Sequence, residues 1–216
     1  MEKKVIILYG IECPDLCLYL SRILIALGKT VSVVDHTDSE VLGYCIPGFQ
    51  YIDYTDYRGV HFYKNIEENT LYEAYDVIIS YRGFCEDLDI TGEEKDVYYI
   101  VDQLPCHIDK LKRLINSIDR QVSFVYKDYV DCKINDKTID MILNVSKDHM
   151  KYSYVVPFDY DDYEMNLIAQ FNSIYRFEKL SPDFRRLLLD IVCEFFEEKI
   201  QEKVIRKQMK RAGKGA

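Results

Sequence analysis

The chain has 216 residues, 48% of them hydrophobic and 30% charged, with a formal net charge of −9, which suits one well-filled core and is cramped for two full domains. The charge is uneven: residues 199–216 hold seven Lys/Arg against the single acid Glu202, a net +6 that leaves −15 on the rest. An acidic body argues against general binding to a nucleic-acid backbone, and no apolar run approaches the roughly 18 residues that a membrane span needs.

Val5 to Leu8 reads as an apolar strand, and Gly10 opens a tight loop. Leu16, Leu20, Ile23, Leu24 and Leu27 then recur at helical intervals, with Pro14 suited to the first turn and Gly28 to the stop. Val31, Val33 and Val34 give a second strand that ends on Asp35. Strand, crossover helix and strand form a βαβ unit, so the fold class is α/β, with a mostly parallel central sheet flanked by helices on both faces in three αβα layers.

From His36 to Asn69 the sequence is rich in Gly, Pro and Tyr, and it predicts short strands near Tyr51–Tyr54 and Val60–Tyr63 and a short helix within Glu67–Tyr75. Tyr75 to Gly83 and Val97 to Asp102 are apolar strands, and Ile108, Leu111, Leu114, Ile115 and Ile118 give the next helix one apolar face. A strand at Val122–Tyr126 continues into Lys127-Asp128. A helix from Lys137 to Val145 follows, with Ile139, Ile142 and Leu143 inward. After a strand at Tyr152–Val156, a helix near Tyr163–Phe171 is expected to turn Leu167, Ile168 and Phe171 inward. Ser181 is the expected N-cap of the last core helix, with Pro182 at N1 and an apolar face from Phe184 to Phe196.

These elements resemble the ParA/MinD-like P-loop ATPases from Lys4 to about Phe196. Gly28-Lys29-Thr30-Val31 is similar to that family's G-K-x-V, Asp35 to its first strand-end carboxylate, Tyr75-Asp76 to the start of its Walker B strand, and the strand Tyr152–Val156 ending at Pro157-Phe158-Asp159 to its late V-x-x-I-P-x-D element. The resemblance implies a P-loop NTPase-like domain over residues 1–198 and a basic helical tail over 199–216. Its chemical motifs are missing. Cys13 stands in place of the phosphate lysine, Pro14 in place of the magnesium-binding hydroxyl, and Ser80 or Tyr81 in place of the Walker B carboxylate. Pro14 also removes a backbone donor that a phosphate loop would use. Glu12 and Asp15 place carboxylates beside the spot, and each is expected to repel a triphosphate by about 1 kcal/mol even in bulk water.

The degenerate loop Gly10, Glu12, Cys13, Pro14 and Asp15, with the vestigial Asp35 and Asp38, is therefore expected to hold no cofactor. Seven scattered cysteines without a C-x-x-C pair give no zinc pattern, so no metal is expected either. The four histidines are scattered, and no catalytic residue is assigned. The resemblance extends to degenerate members of the CpaE/TadZ-like group and implies a cytoplasmic scaffold or localisation factor that contacts another protein or itself, as in pilus assembly or cell-pole organisation. A divergent ATPase with Mg²⁺ on Asp35 and Asp38, and with a lysine from elsewhere, is the alternative. Lys203, Arg206, Lys207, Lys210 and Arg211 are the expected partner contacts of the tail, or its contacts with an anionic membrane surface.

Overall fold

The computed structural model describes residues 4–85, 95–115, 120–173, 175–196 and 202–214. Eight strands form one sheet: β1 (Lys4–Gly10), β2 (Val31–Asp35), β3 (Tyr54–Tyr57), β4 (Val60–Lys64), β5 (Val77–Gly83), β6 (Lys95–Val101), β7 (Val122–Tyr129) and β8 (Met150–Pro157). Their order is β3-β4-β2-β5-β1-β6-β7-β8, and every pair is parallel except β3–β4. The connection from β1 leads to one side and that from β6 to the other, so the chain reverses direction at the carboxyl ends of β1 and β6, where ligands bind in open α/β sheets.

Helices α1 (Pro14–Ala26), α2 (Val41–Cys45), α3 (Pro105–Ile115), α4 (Asp136–Leu143), α5 (Tyr160–Asn172), α6 (Pro182–Phe195) and α7 (Glu202–Lys214) complete the described fold. On one face Leu16, Leu20 and Ile23 of α1, Leu187, Leu188 and Ile191 of α6 and Ile205 of α7 pack on Ile6, Leu8, Val33 and Ile79. On the other, Ile108, Leu111 and Leu114 of α3 and Ile139 and Leu143 of α4 pack on Ile7, Tyr99 and Phe124. The expected α/β three-layer architecture is therefore the observed one.

Two of the recurring sequence signals have structural causes. Asp76 Oδ2 accepts from the Thr30 amide (2.9 Å) and hydroxyl (3.0 Å), and the Asp76 amide donates back to Thr30 Oγ1 (2.8 Å). This clamp aligns the starts of β2 and β5. Ser181 caps α6 by accepting from Phe184 N at 3.1 Å.

Several expectations shift. The region 36–69 contains the unforeseen short helix α2, and the strand expected near Tyr51 begins at Tyr54. The helix expected within Glu67–Tyr75 is a single 3-10 turn over Glu68–Leu71. Ile142 is 39% exposed rather than inward. On α5 the inward residues are Asp162, Met165 and Ala169, while Leu167 and Phe171 face solvent. The helix carries apolar groups on two sides, and its rotation is set by Asp162, which accepts from Ser181 N at 2.7 Å, and by Ala169, whose small side chain joins the core on the side where α5 packs on α2. Of the tail's apolar stripe, Ile205 and Met209 join the core together with Ala212, while Val204 stays 42% exposed. Ile118, Lys199 and Ile200 lie outside the described residues.

Candidate functional site

The loop between β1 and α1 is three residues long, Ile11 to Cys13. Gly10 has φ +106, and a Cβ there would lie 1.9 Å from the carbonyl oxygen of Ile100, so only glycine lets β1 and β6 meet this closely. Ile11 N donates to the same oxygen at 2.9 Å. The loop is thus sealed onto β6 rather than arched as a cradle.

The donors at the start of α1 are largely engaged inside the chain. Pro14 has no N–H, Leu16 N donates to Asp15 Oδ1 at 2.9 Å, and Cys17 N donates to Cys13 O at 3.4 Å. Cys13, Pro14 and Asp15 are all buried, and burial pushes the Cys13 thiol well above its usual range. Glu12 alone of the group is exposed, and it accepts a hydrogen bond from the Ser39 hydroxyl.

The expectation that this spot has lost its cation is overturned. Lys127, from β7, places Nζ 3.2 Å from Asp15 Oδ2 and 3.3 Å from Asp128 Oδ1, with the Lys127 and Asp15 side chains only 6% and 3% exposed. It also lies over the ring of Phe184, 5.1 Å from its centroid. Burial, the largest single influence, weakens the hold of Lys127 on its proton, but the Asp15 carboxylate together with its neighbours Cys13 and Asp128 outweighs it, and the net shift is upward. Asp15 does not face a ligand as a repelling charge; it is half of a buried ion pair.

Helix α5 helps to close this arrangement. It leaves the end of β8, sets Asp162 within electrostatic reach of Lys127, and packs on α2 beyond β2. Thirteen residues of helix span about 20 Å, close to the roughly 24 Å between β8 and β2 at five strand spacings. Tyr175, Phe177 and Phe184 meet Tyr19 of α1 edge-on at 4.7–6.0 Å. Under this cover every residue from Pro14 to Ser21 is buried. One cleft opens between the β3–β4 hairpin and this cover, lined by Leu18, Ser21, Tyr57, Tyr175 and Phe177, and another lies beneath the amino end of β7.

Asp35 and Asp38 do not converge. Asp35 is 2% exposed, and its Oδ1 accepts from the Thr37 amide (2.9 Å) and hydroxyl (2.7 Å). Burial holds its carboxyl above the usual range, and its Oδ2 has no hydrogen-bond partner. Asp38 is exposed. Among the described residues no group of three or more His, Cys, Asp or Glu is placed to hold a metal ion. Of the two residues expected in place of a Walker B carboxylate, Tyr81 is buried in the same apolar cluster as Cys13 and Cys17, and Ser80 is buried as well.

One polar cluster escapes the sequence reading. Arg82, 7% exposed, bonds Glu68 Oε1 (2.7 Å), Ser80 Oγ (2.8 Å) and Tyr9 OH (3.3 Å), and His36 Nε2 lies 3.1 Å from the same Glu68 oxygen. Burial opposes ionisation of Glu68, but the bonds from His36, Ser80 and Arg82 prevail and hold its carboxyl well below the usual range. The signal for it was the polar pair Ser80 and Arg82 at one parity of an otherwise apolar strand. On α7, Lys203, Arg206, Lys207, Lys210 and Arg211 are all exposed. Among the described residues no helix is long and apolar enough to cross a membrane.

No protein-family model matches the chain, and no curated protein is similar to it in sequence. Among solved structures, a chain of the MinC:MinD cell division protein complex of Aquifex aeolicus matches with a TM-score of 0.63 over 92% of this chain and 98% of that one, at 15% identity. The likeness is one of fold: the chain has the architecture of a MinD-like P-loop NTPase neighbour.

Proposed function

We propose that the chain is a non-hydrolysing protein of ParA/MinD-like architecture that acts as a scaffold or localisation factor through protein contacts. The observation that carries this reading is the Asp15–Lys127 pair. A helix amino terminus with a lysine beside it is an anion site, and here the anion is the chain's own carboxylate, held 3.2 Å from the lysine under α5. A phosphate group would have to displace Asp15 and re-expose a buried cation. Pilus assembly and cell-pole organisation are the settings implied by the resemblance to the CpaE/TadZ-like group. A membrane contact by the tail would be electrostatic, since Ile205 and Met209 are in the core. The protein partner of the MinD chain in the Aquifex complex makes such contacts a natural use of this fold.

A divergent ATPase has two observations in its favour, the lysine supplied by β7 and the unpartnered Oδ2 of Asp35. Thermal unfolding with and without Mg-ATP separates the two readings. Ligand at a hundredfold excess over Kd stabilises by about 2.7 kcal/mol. The proposal expects no shift at millimolar Mg-ATP, and a shift of that size would replace it with the ATPase.

A further inference from the structure

We propose that the chain forms a two-fold symmetric dimer in which the outer stripe of α5 in each copy receives the basic face of α7 of the other. The inference rests on the protein-contact reading above and names the partner as a second copy.

The stripe comprises Tyr160, Tyr163, Leu167 and Phe171, which are 68%, 47%, 43% and 86% exposed. Their spacing of three, four and four residues puts them on one side of the helix along its whole length, opposite the inward Met165 and Ala169. An exposed apolar strip of this extent marks an interaction surface. Asp161 and Glu164 flank it, both exposed and without an ion-pair partner among the described residues, so the occupant must bring cations.

The chain has a matching surface. On α7, Lys203, Lys207 and Lys210 repeat at spacings of four and three, exposed and likewise without an ion-pair partner among the described residues. Arg206, by contrast, is held by Glu202 at 2.6 Å. Ammonium groups over Tyr and Phe rings, with their methylene stems on Leu167, make favourable contacts in addition to the ion pairs.

Symmetry closes the arrangement. Helices α5 and α7 lie on the same face of the sheet as α1, and both touch the turn Phe177–Lys179. One two-fold axis can therefore form the α5–α7 contact twice, giving a closed dimer rather than a filament. A stable interface buries on the order of 1,600 Å², which the two helix pairs share between them.

The test is sedimentation velocity on the full chain over a dilution series at low and high salt. A dimer is expected, weakened roughly tenfold or more on going from about 0.05 to 0.5 M salt. Asp161→Lys with Glu164→Lys, and separately Lys203→Glu with Lys207→Glu and Lys210→Glu, should each yield folded monomers, because every altered residue is exposed, and their thermal unfolding should match that of the wild type diluted until it too is monomeric. An equimolar mixture of the two variants should recover the dimer, since each supplies the charge that the other now lacks. A monomer at all concentrations, a dimer indifferent to both variants, or no recovery on mixing overturns the proposal. So does a wild-type monomer whose lysines instead bind phosphatidylserine vesicles. None of these outcomes bears on nucleotide binding, which tests the reading beneath.

Discussion

Replacing Lys127 with Met leaves the Asp15 carboxylate buried without its counter-charge. At 3.2 Å and an effective dielectric of about 20, the gross attraction is about 5 kcal/mol, and breaking such a pair from one side costs about 3–5 kcal/mol. For a chain of this size each kcal/mol moves the midpoint by roughly 2–4 °C, so a loss of at least 6 °C is expected in thermal unfolding, with a matching fall in the urea midpoint. Met also fills much of the vacated volume, so the loss is electrostatic rather than a cavity effect. The double variant Asp15→Leu with Lys127→Met should recover most of the loss, giving a coupling energy above about 2 kcal/mol in the cycle. Because the proton affinity of Lys127 is raised in the fold, its stabilisation is complete at neutral pH and is lost only as pH climbs beyond the ordinary lysine range. The partner change Asp15→Ala leaves Lys127 with Asp128 as its one remaining ion-pair partner and opens its other side to the start of α1. Inorganic phosphate should stabilise that variant and leave the wild type unmoved. A Lys127→Met cost below 1 kcal/mol, or equal phosphate stabilisation of wild type and Asp15→Ala, would refute the reasoning.

Glu194, held by Tyr98 OH at 3.1 Å, has its carboxyl pushed up to about 7 by burial. A folded-state value above the unfolded one means that stability is greatest in acid, falls between about pH 4.5 and 7, and levels off above, so Glu194→Gln should flatten that slope and gain about 1–2 kcal/mol at pH 8 after discounting for partial exposure. Unfolding free energies at pH 5 and 8 check it, and parallel pH slopes would count against it. Asp76→Ala removes the clamp on Thr30 and should cost about 1 kcal/mol in urea unfolding at pH 7. Its carboxyl is held below the usual range, chiefly by the Thr30 amide, so the penalty should vanish as pH falls through that lowered value. Gly10→Ala sets a methyl against Ile100 O and forces a left-handed backbone; a loss of at least about 3 kcal/mol, or insoluble protein, is expected.

What was legible in the sequence was what local period dictates. The β1–α1–β2 unit, the one-sided α3 and the cap at Ser181 follow from residues within a few turns of one another, and the structure reproduces them to within a few residues at their ends. Contacts that join distant segments were not legible. Lys127 lies 112 positions from Asp15 and is followed directly by Asp128, the nearer acid, so nothing local marks it as the counter-ion of Asp15. The β3–β4 hairpin could have been found, because Arg58 and Gly59, at φ +55 and +78, form the two-residue turn that glycine favours. On α5 the apolar residues surround the helix, and periodicity cannot choose between two apolar sides when the choice is made by a hydrogen bond from Ser181.

The same distinction separates the packing of α1 from the loop that precedes it. The helix packing that defines the fold depends on Leu16, Leu20 and Ile23, not on the charge at the end of α1, so the loop can change while the core is retained. The start of a helix facing a sheet still presents partial positive charge, however, and leaving it dry beside a buried lysine would be costly. Asp15 satisfies both groups at once, and the cover given by α5 and the Tyr175–Phe184 aromatics keeps water from competing for them. That cover strengthens the pair and at the same time bars exchange of its anion. A site built this way is stable in proportion to how poorly it admits a ligand.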